Sequence, residues 1–127
     1  MKIFCECGHI IHDNTDCISY KASFIADQDS SDLRYKIEEQ IKKLVTNIED
    51  AASNKIDVDV LIEDTMTDIS DTITDYSPRT IYQCSECGRL FVDDNQFYTH
   101  VFISQDNSVP KNLMRSIKGD EWKFNPH

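Results

Sequence analysis

The sequence predicts an α+β fold, in which a small antiparallel sheet accompanies an inserted pair of amphipathic helices. Two observations carry this prediction. Pairs of cysteines, each followed by glycine and flanked by strand-like residues, lie near position 6 and near position 86. Between them, the period at which apolar residues recur changes from two residues to 3.6 residues, which indicates helices. At 127 residues the chain has the length of one domain with a modest core.

We therefore expect a single domain that spans residues 1–127 and has three parts. The first is a knuckle hairpin over 1–26, and the second is a helical insertion over 30–77. The third, over 78–127, holds the second knuckle hairpin and a C-terminal segment. In this arrangement the helical pair packs on the sheet.

Short strands flank both cysteine pairs. Residues 10–12 and 18–25 predict a hairpin over the first pair, because polar turn residues separate two β-prone stretches. Strands are also predicted at 80–82 and 89–92, on either side of the second pair, and at 97–103, which is rich in aromatic and β-branched residues. Pro110 is expected to open a short helix that runs to Ile117.

The inserted segment predicts two helices. The first covers 31–52 and aligns these apolar residues on one face: Leu33, Ile37, Ile41, Leu44, Ile48 and Ala51. A break at 53–55 follows. The second helix covers 57–76, and its apolar face consists of Ile62, Met66, Ile69, Ile73 and Tyr76.

Both cysteine pairs have the form of metal-binding knuckles. Cys5 and Cys7 precede Gly8, and Cys84 and Cys87 precede Gly88. Four thiolates are a ligand set that tetrahedral Zn²⁺ accepts, and they leave no position open for water or substrate. We expect a structural Zn²⁺ site with these ligands: Cys5, Cys7, Cys84 and Cys87.

Alternatives to this ligand set stay open. His9 or His12 could replace a cysteine as ligand, and the fifth cysteine, Cys17, is expected to be a buried thiol near the first hairpin, with its part in the metal site left open. Free cysteines are also common as small buried apolar residues. A redox Cys-x-x-Cys motif is a further alternative, but such motifs begin helices, whereas the residues after Cys87 predict a strand.

The chain is strongly acidic. Thirteen Lys and Arg against 23 Asp and Glu give a formal net charge of -10, which disfavours nucleic acid and favours a basic protein partner. Acidic residues align on the second helix opposite its apolar face. We expect a partner-binding surface made of Asp57, Glu63, Asp64, Asp68, Asp71 and Asp75. The alternative is a solvated face that serves solubility.

Other sequence features point away from secretion and catalysis. The N-terminal residues lack an apolar stretch of secretory length, and no segment reaches membrane-spanning length, so we expect a cytoplasmic protein with reduced thiols. The chain has three glycines and contains no phosphate-binding loop or common hydrolase motif. We therefore expect no enzymatic activity.

The two Cys-Gly knuckles, Cys5–Gly8 and Cys84–Gly88, resemble the halves of a zinc ribbon split by a helical insertion. In size, charge and knuckle arrangement, the chain resembles the small acidic bacterial immunity proteins of contact-dependent inhibition and polymorphic toxin systems. That resemblance implies a cytosolic protein that binds one cognate toxin as a monomer in a heterodimeric complex.

Three function hypotheses follow. The first is a non-enzymatic inhibitor that neutralises a basic partner, such as a nuclease-type toxin, through the acidic helix face. The second is a zinc-ribbon adaptor or regulatory interaction module, whose contact surface would include Tyr82, Phe97 and Tyr98. The third is an enzyme with a metal centre that uses His9 or His12.

Overall fold

The computed structural model describes residues 1–54 and 57–124, and these residues form two compact units. Met1–Phe24 and Arg79–His127 make up the knuckle unit, and Ile25–Pro78 make up the helical unit. The α+β prediction is confirmed, because the chain contains two helices and two small antiparallel sheets.

The smaller sheet of the knuckle unit is a two-stranded hairpin. Its strands are β1 (Lys2–Phe4) and β2 (Ile10–His12), which pair antiparallel with Ile3 opposite Ile11. The five-residue connection between the strands contains Cys5 and Cys7. The side chain of Ile11 points into the core and is 2% exposed.

The larger sheet has four antiparallel strands in the order β3-β4-β5-β6. The strands are β3 (Lys21–Phe24), β4 (Arg79–Gln83), β5 (Leu90–Asp93) and β6 (Thr99–Phe102). The predicted hairpin between 10–12 and 18–25 is wrong. β2 pairs instead with β1, which is adjacent across a shorter loop, and β3 pairs with β4, far along the chain.

The core of the knuckle unit is small and is built around the cysteines. Its buried residues are Cys5, Ile11, Tyr82, Cys84 and Phe91, and Ile3, Tyr20 and Cys87 pack against them. Because two of these five buried residues are cysteines, the packing of the core depends on whether their thiols are free, ionised or bound to a metal ion.

The helical unit is a hairpin of α1 (Ser30–Asn54) and α2 (Val58–Tyr76). Asp57 begins α2 as its N-cap, since its carboxylate accepts a hydrogen bond from the Asp59 N–H at 2.9 Å. The predicted break at 53–55 is wrong at its first two residues, because α1 continues to Asn54, and Lys55 lies outside the described residues. Over the described residues, neither helix has an apolar stretch long enough to cross a membrane.

The predicted apolar face packs as expected over most of α1, where Ile37, Leu44 and Ile48 are half-buried, but on α2 the packed face is rotated from the predicted one. On α1, Leu33 and Ala51 are buried as expected, but Ile41 is 47% exposed. Gln40 turns inward in its place and donates a hydrogen bond from Nε2 to Thr72 Oγ1 at 2.8 Å. On α2, the half-buried residues are Leu61, Thr65, Ile69, Thr72 and Tyr76.

The predicted helix from Pro110 to Ile117 is absent, since the structure there consists of turns before a single 3₁₀ turn at Gly119–Glu121. The physical reason is the side chain of Gln83 at the end of β4. Its Oε1 accepts the N–H of Leu113 at 2.7 Å, and its Nε2 donates to the carbonyl of Pro110 at 2.9 Å. These backbone groups are therefore not available to a helix.

Candidate functional site

The fold brings the four predicted metal ligands together. The Sγ atoms of Cys5, Cys7, Cys84 and Cys87 all lie within 4.8 Å of one another. Cys5 Sγ lies 3.5 Å from Cys87 Sγ, and Cys7 Sγ lies 3.6 Å from Cys84 Sγ. Each knuckle therefore contributes one thiol to each of the two close pairs.

This arrangement fits a tetrahedral thiolate site. With Zn–S bonds of about 2.3 Å, tetrahedral geometry places sulfur atoms roughly 3.8 Å apart. The two closest sulfur pairs are within a few tenths of an ångström of that separation. The four cysteines can thus hold a metal ion with small side-chain adjustments, and their soft sulfur ligands are those that Zn²⁺ accepts.

Backbone conformation shapes both knuckles in the same way. Gly8 has φ +98° and Gly88 has φ +83°, a region that side chains with a Cβ rarely adopt. The N–H of each glycine donates to the carbonyl of the first cysteine of its knuckle, Cys5 or Cys84, at 2.9 Å. At Gly88 a Cβ would also approach Val109 Cγ1 to 3.2 Å. The glycine after each cysteine pair is therefore required by the turn.

Arg89 is part of the cysteine cluster, although the sequence analysis did not select it. Its Nη1 lies 3.4 Å from Cys87 Sγ and 3.8 Å from Cys5 Sγ. The thiols of Cys87 and then of Cys5 raise the pKa of Arg89 further above its usual value. Its position two residues after a ligand in a Cys-x-x-Cys-Gly-Arg segment was the available signal. A guanidinium here would offset part of the negative charge of four thiolates.

The thiols of the cluster differ in acidity. Burial raises the pKa of Cys84 to about 12. Burial also acts to raise the pKa of Cys87, but hydrogen bonds from the Arg89 backbone N–H and from neighbouring thiols outweigh it and lower that pKa to about 6. For Cys7, the His9 N–H lowers the pKa, but burial and its neighbours outweigh this, and the net shift is upward. Close thiolates repel one another, so a cation is needed for all four to ionise together.

A polar cluster near the metal ligands joins the small hairpin to the larger sheet. The Asp13 carboxylate follows β2 and accepts a hydrogen bond from the Lys21 ammonium at 2.7 Å and another from the Tyr82 hydroxyl. These two donors, Lys21 first, lower the pKa of Asp13. Tyr82 is 4% exposed, so it does not offer the contact surface that the adaptor hypothesis assigned to it.

The other residues considered as ligands occupy different surroundings. His9 Nε2 lies 3.5 Å from Ser85 Oγ, so this side chain bridges the two knuckles by a polar contact. His12 is exposed on β2, and its carbonyl accepts a hydrogen bond from the Tyr20 hydroxyl at 2.5 Å. Cys17 is an exposed thiol, not the buried one that the sequence predicted. Among the described residues, the cluster with metal-binding geometry consists of the four knuckle cysteines.

The acidic residues of α2 are all exposed, and four of them lie in one row: Asp64, Asp68, Asp71 and Asp75. We call this row the acidic face. At 100° per residue, Glu63 lies roughly 100° away from the centre of the row. Asp57 falls in line with the row, but its carboxylate caps α2. The predicted surface therefore has a core of four aspartates with Asp57 at its end and Glu63 to one side.

Tertiary structure adds positive charge beside the acidic face. Lys43 of α1 shares a shallow cleft with Asp64 and Asp68. The Tyr76 hydroxyl, followed by the charges of Asp32 and Asp75, raises the pKa of Lys36. Neither lysine forms an ion pair with the four aspartates within the part of the chain that is described. The face stays acidic on balance, but less so than the sequence of α2 alone suggests.

Comparison with known proteins gives one finding. The model of a family described as "Domain of unknown function (DUF8617)" matches residues 1–113, which contain both knuckles and both helices. Neither a curated protein nor a solved structure matches the chain significantly.

Proposed function

We infer the function of this chain from its own residues, because it belongs to the DUF8617 family, whose function is unknown. We propose that it is a zinc-stabilised, non-enzymatic binding protein that neutralises a basic protein through the acidic face. The observation that carries the proposal is the exposed row of aspartates on α2 of the helical hairpin: Asp64, Asp68, Asp71 and Asp75.

The role of zinc in this proposal is structural. Four thiolates complete a tetrahedral shell, and a complete shell activates neither water nor substrate. Cys5 and Cys84 lie within the small buried core of the knuckle unit and Cys87 packs against it, whereas Cys7 is exposed. When bound, the ion would hold residues near the start of the chain to residues near position 85.

The partner that suits the acidic face is a cationic protein. Like charges at i and i+4 weaken an isolated helix by a few tenths of a kcal/mol for each pair, so the row is retained at some cost to stability. Opposed charges accelerate encounter by long-range attraction. A nuclease-type toxin fits this description, because its substrate groove is built to attract phosphates. An immunity protein for such a toxin is the specific function proposed.

Charge reversal tests the acidic face. The triple variant Asp64→Lys, Asp68→Lys and Asp71→Lys should lose binding to the protein encoded by the neighbouring open reading frame, measured by calorimetry at two salt concentrations. The control reverses three exposed acids elsewhere in the helical unit, Asp29, Glu39 and Glu49, and changes the net charge equally. Equal binding by both triple variants would refute the acidic face as the binding site.

A second function, an adaptor module, is favoured by one observation in the turn between β5 and β6, since β6 begins at Thr99 rather than at the predicted Phe97. Phe97 is 60% exposed and has φ +66°, and Tyr98 beside it is 66% exposed. A bulky residue in left-handed conformation costs about 1–2 kcal/mol and is typical of sites kept for contact rather than stability. If this surface binds the partner, the Phe97→Ser and Tyr98→Ser double variant loses binding, whereas the acidic-face triple variant keeps it.

A further inference from the structure

The helical hairpin has an apolar side in addition to its acidic one. Tyr76 of α2 contacts Asp32 at the start of α1, and Gln40 contacts Thr72, so the two helices run antiparallel. On α2, Ile62, Met66 and Ile73 are 37%, 64% and 42% exposed. On α1, Ile41 and Val45 are 47% and 51% exposed. We call these five residues the apolar seam.

Helical geometry places the whole seam on one side of the hairpin. At 100° per residue, Ile62, Met66 and Ile73 are centred about 80–90° from the line that faces α1. On α1, Ile41 and Val45 are rotated in the same sense from the line that faces α2. Because the two helices are antiparallel, equal rotations on both helices place these residues on the same side of the hairpin. The opposite side is the cleft that contains Lys43, Asp64 and Asp68.

The seam has the spacing of a helix with a second helical neighbour. Ile62, Met66, Ile69 and Ile73 repeat at intervals of four, three and four residues, which is the heptad pattern of helix bundles. The face of α2 that packs on α1 contains Thr65 and Thr72 together with three apolar residues: Leu61, Ile69 and Tyr76. Ile62, Met66 and Ile73 lie outside that face. The apolar residues of α2 are thus divided between two directions, as those of each helix in a four-helix bundle are divided between two neighbours.

We propose that a second copy of this chain covers the apolar seam, so that two helical hairpins form a four-helix bundle. A second copy supplies two helices of matching length that carry the same seam. It also meets the electrostatic requirement, because the acidic face lies on the opposite side of each hairpin. The seam side has fewer acidic residues than the opposite side, with Glu38, Glu49 and Asp59 beside the seam, so two chains with a net charge of -10 meet with less repulsion there.

The size of the surface is adequate for a dimer. The 19 residues of α2 are about 28 Å long and two adjacent helices are about 20 Å wide, so the apolar side has roughly 560 Å² of planar area. Side chains corrugate this plane, so the accessible area that it buries is larger than the planar area and of the same order as the value of about 800 Å² per partner found in stable interfaces. The dimer leaves both acidic faces exposed, and two partner molecules could bind where sequence analysis expected one.

The test uses full-length zinc-loaded protein in sedimentation velocity experiments over a range of concentrations. The wild type should sediment as a dimer. Met66→Glu should weaken association by about 100-fold, because it buries an unpaired charge in the interface. Thr67→Glu is the matched control: it adds the same charge at the next residue, about 100° round the helix and away from the seam, and should remain dimeric.

Two results would overturn the proposal. One is a wild type that stays monomeric at every concentration, and the other is a dimer that Met66→Glu does not weaken. Because Met66 is largely exposed in the single chain, the substitution should not unfold it, and circular dichroism checks this. If the variant loses helix content, backbone amide exchange of residues 60–74 is measured in the wild type instead. Protection that rises with protein concentration supports the dimer, and unchanged protection contradicts it.

Discussion

Loss of one buried cysteine of the cluster should destabilise the knuckle unit by an amount that depends on the length of the loop that a bound metal ion would close. Cys84 is fully buried, and its sulfur lies against that of Cys7, 77 residues earlier, while Cys5 and Cys87 are 82 residues apart. A cross-link that closes a loop of this length lowers the entropy of the unfolded chain by an amount worth about 4.5 kcal/mol at 25 °C. Domain stabilities are about 5–15 kcal/mol, so this contribution is a large share.

We therefore expect Cys84→Ser to lose at least about 4 kcal/mol in the free energy of unfolding of the knuckle unit. Trp122 is the single tryptophan and belongs to this unit, so its fluorescence in urea titrations reports the transition. Zinc analysis should find one ion per wild-type chain and a reduced content in the variant. Chelation of the wild type should reproduce the loss of stability.

Cys17→Ser is the control, since Cys17 is an exposed thiol outside the cluster and its removal should change stability by less than about 0.5 kcal/mol. The reasoning is refuted if Cys84→Ser unfolds at the same urea concentration as Cys17→Ser. It is also refuted if wild-type protein purified without chelator contains no zinc and is equally stable.

Three further predictions concern single side chains. Arg89→Met should accelerate transfer of zinc to a chromophoric chelator several-fold, because the thiolates lose their neighbouring cation; an unchanged rate would contradict a role in the site. Gln83→Leu should cost about 1–2 kcal/mol and speed hydrogen exchange of the Leu113 N–H, since it removes the acceptor of this part-buried donor. Phe97→Gly should raise the free energy of unfolding by about 1 kcal/mol through relief of the left-handed conformation, measured in urea, whereas a loss would mean that the exposed ring stabilises the sheet.

Local patterns were sufficient for the two long helices, for most of the strands and for the four clustered cysteines. The 3.6-residue period predicted both helices, because each residue's face depends on its neighbours within one or two turns. Each cysteine pair with its glycine predicted a tight turn for the same reason. The prediction that both pairs form one cluster came from the four ligands that zinc requires, and not from any contact between residues close in sequence.

Contacts between distant residues decided the rest. Gln83 bonds to groups 27 and 30 residues later, which replaced a predicted helix with turns. The pairing of β3 with β4 joins strands on either side of the helical insertion, and sequence periodicity carries no information about strand partners. Arg89 became part of the cluster only when Cys5 was brought beside it.

The sequence by itself determined which residues form the knuckles, where the helices lie and which residues make the row of acids. Tertiary structure decided which of these side chains are buried between the helices, which stay exposed, and which charges lie beside one another. It turned Thr65 and Thr72 of α2 toward α1 and left Met66 and Ile73 exposed, and it set Lys43 beside the acidic face. The physical reason is that the sequence period defines an apolar face that is wide enough to contact more than one neighbouring helix. Which part of that face is buried depends on the orientation of the helix against the neighbour it packs on.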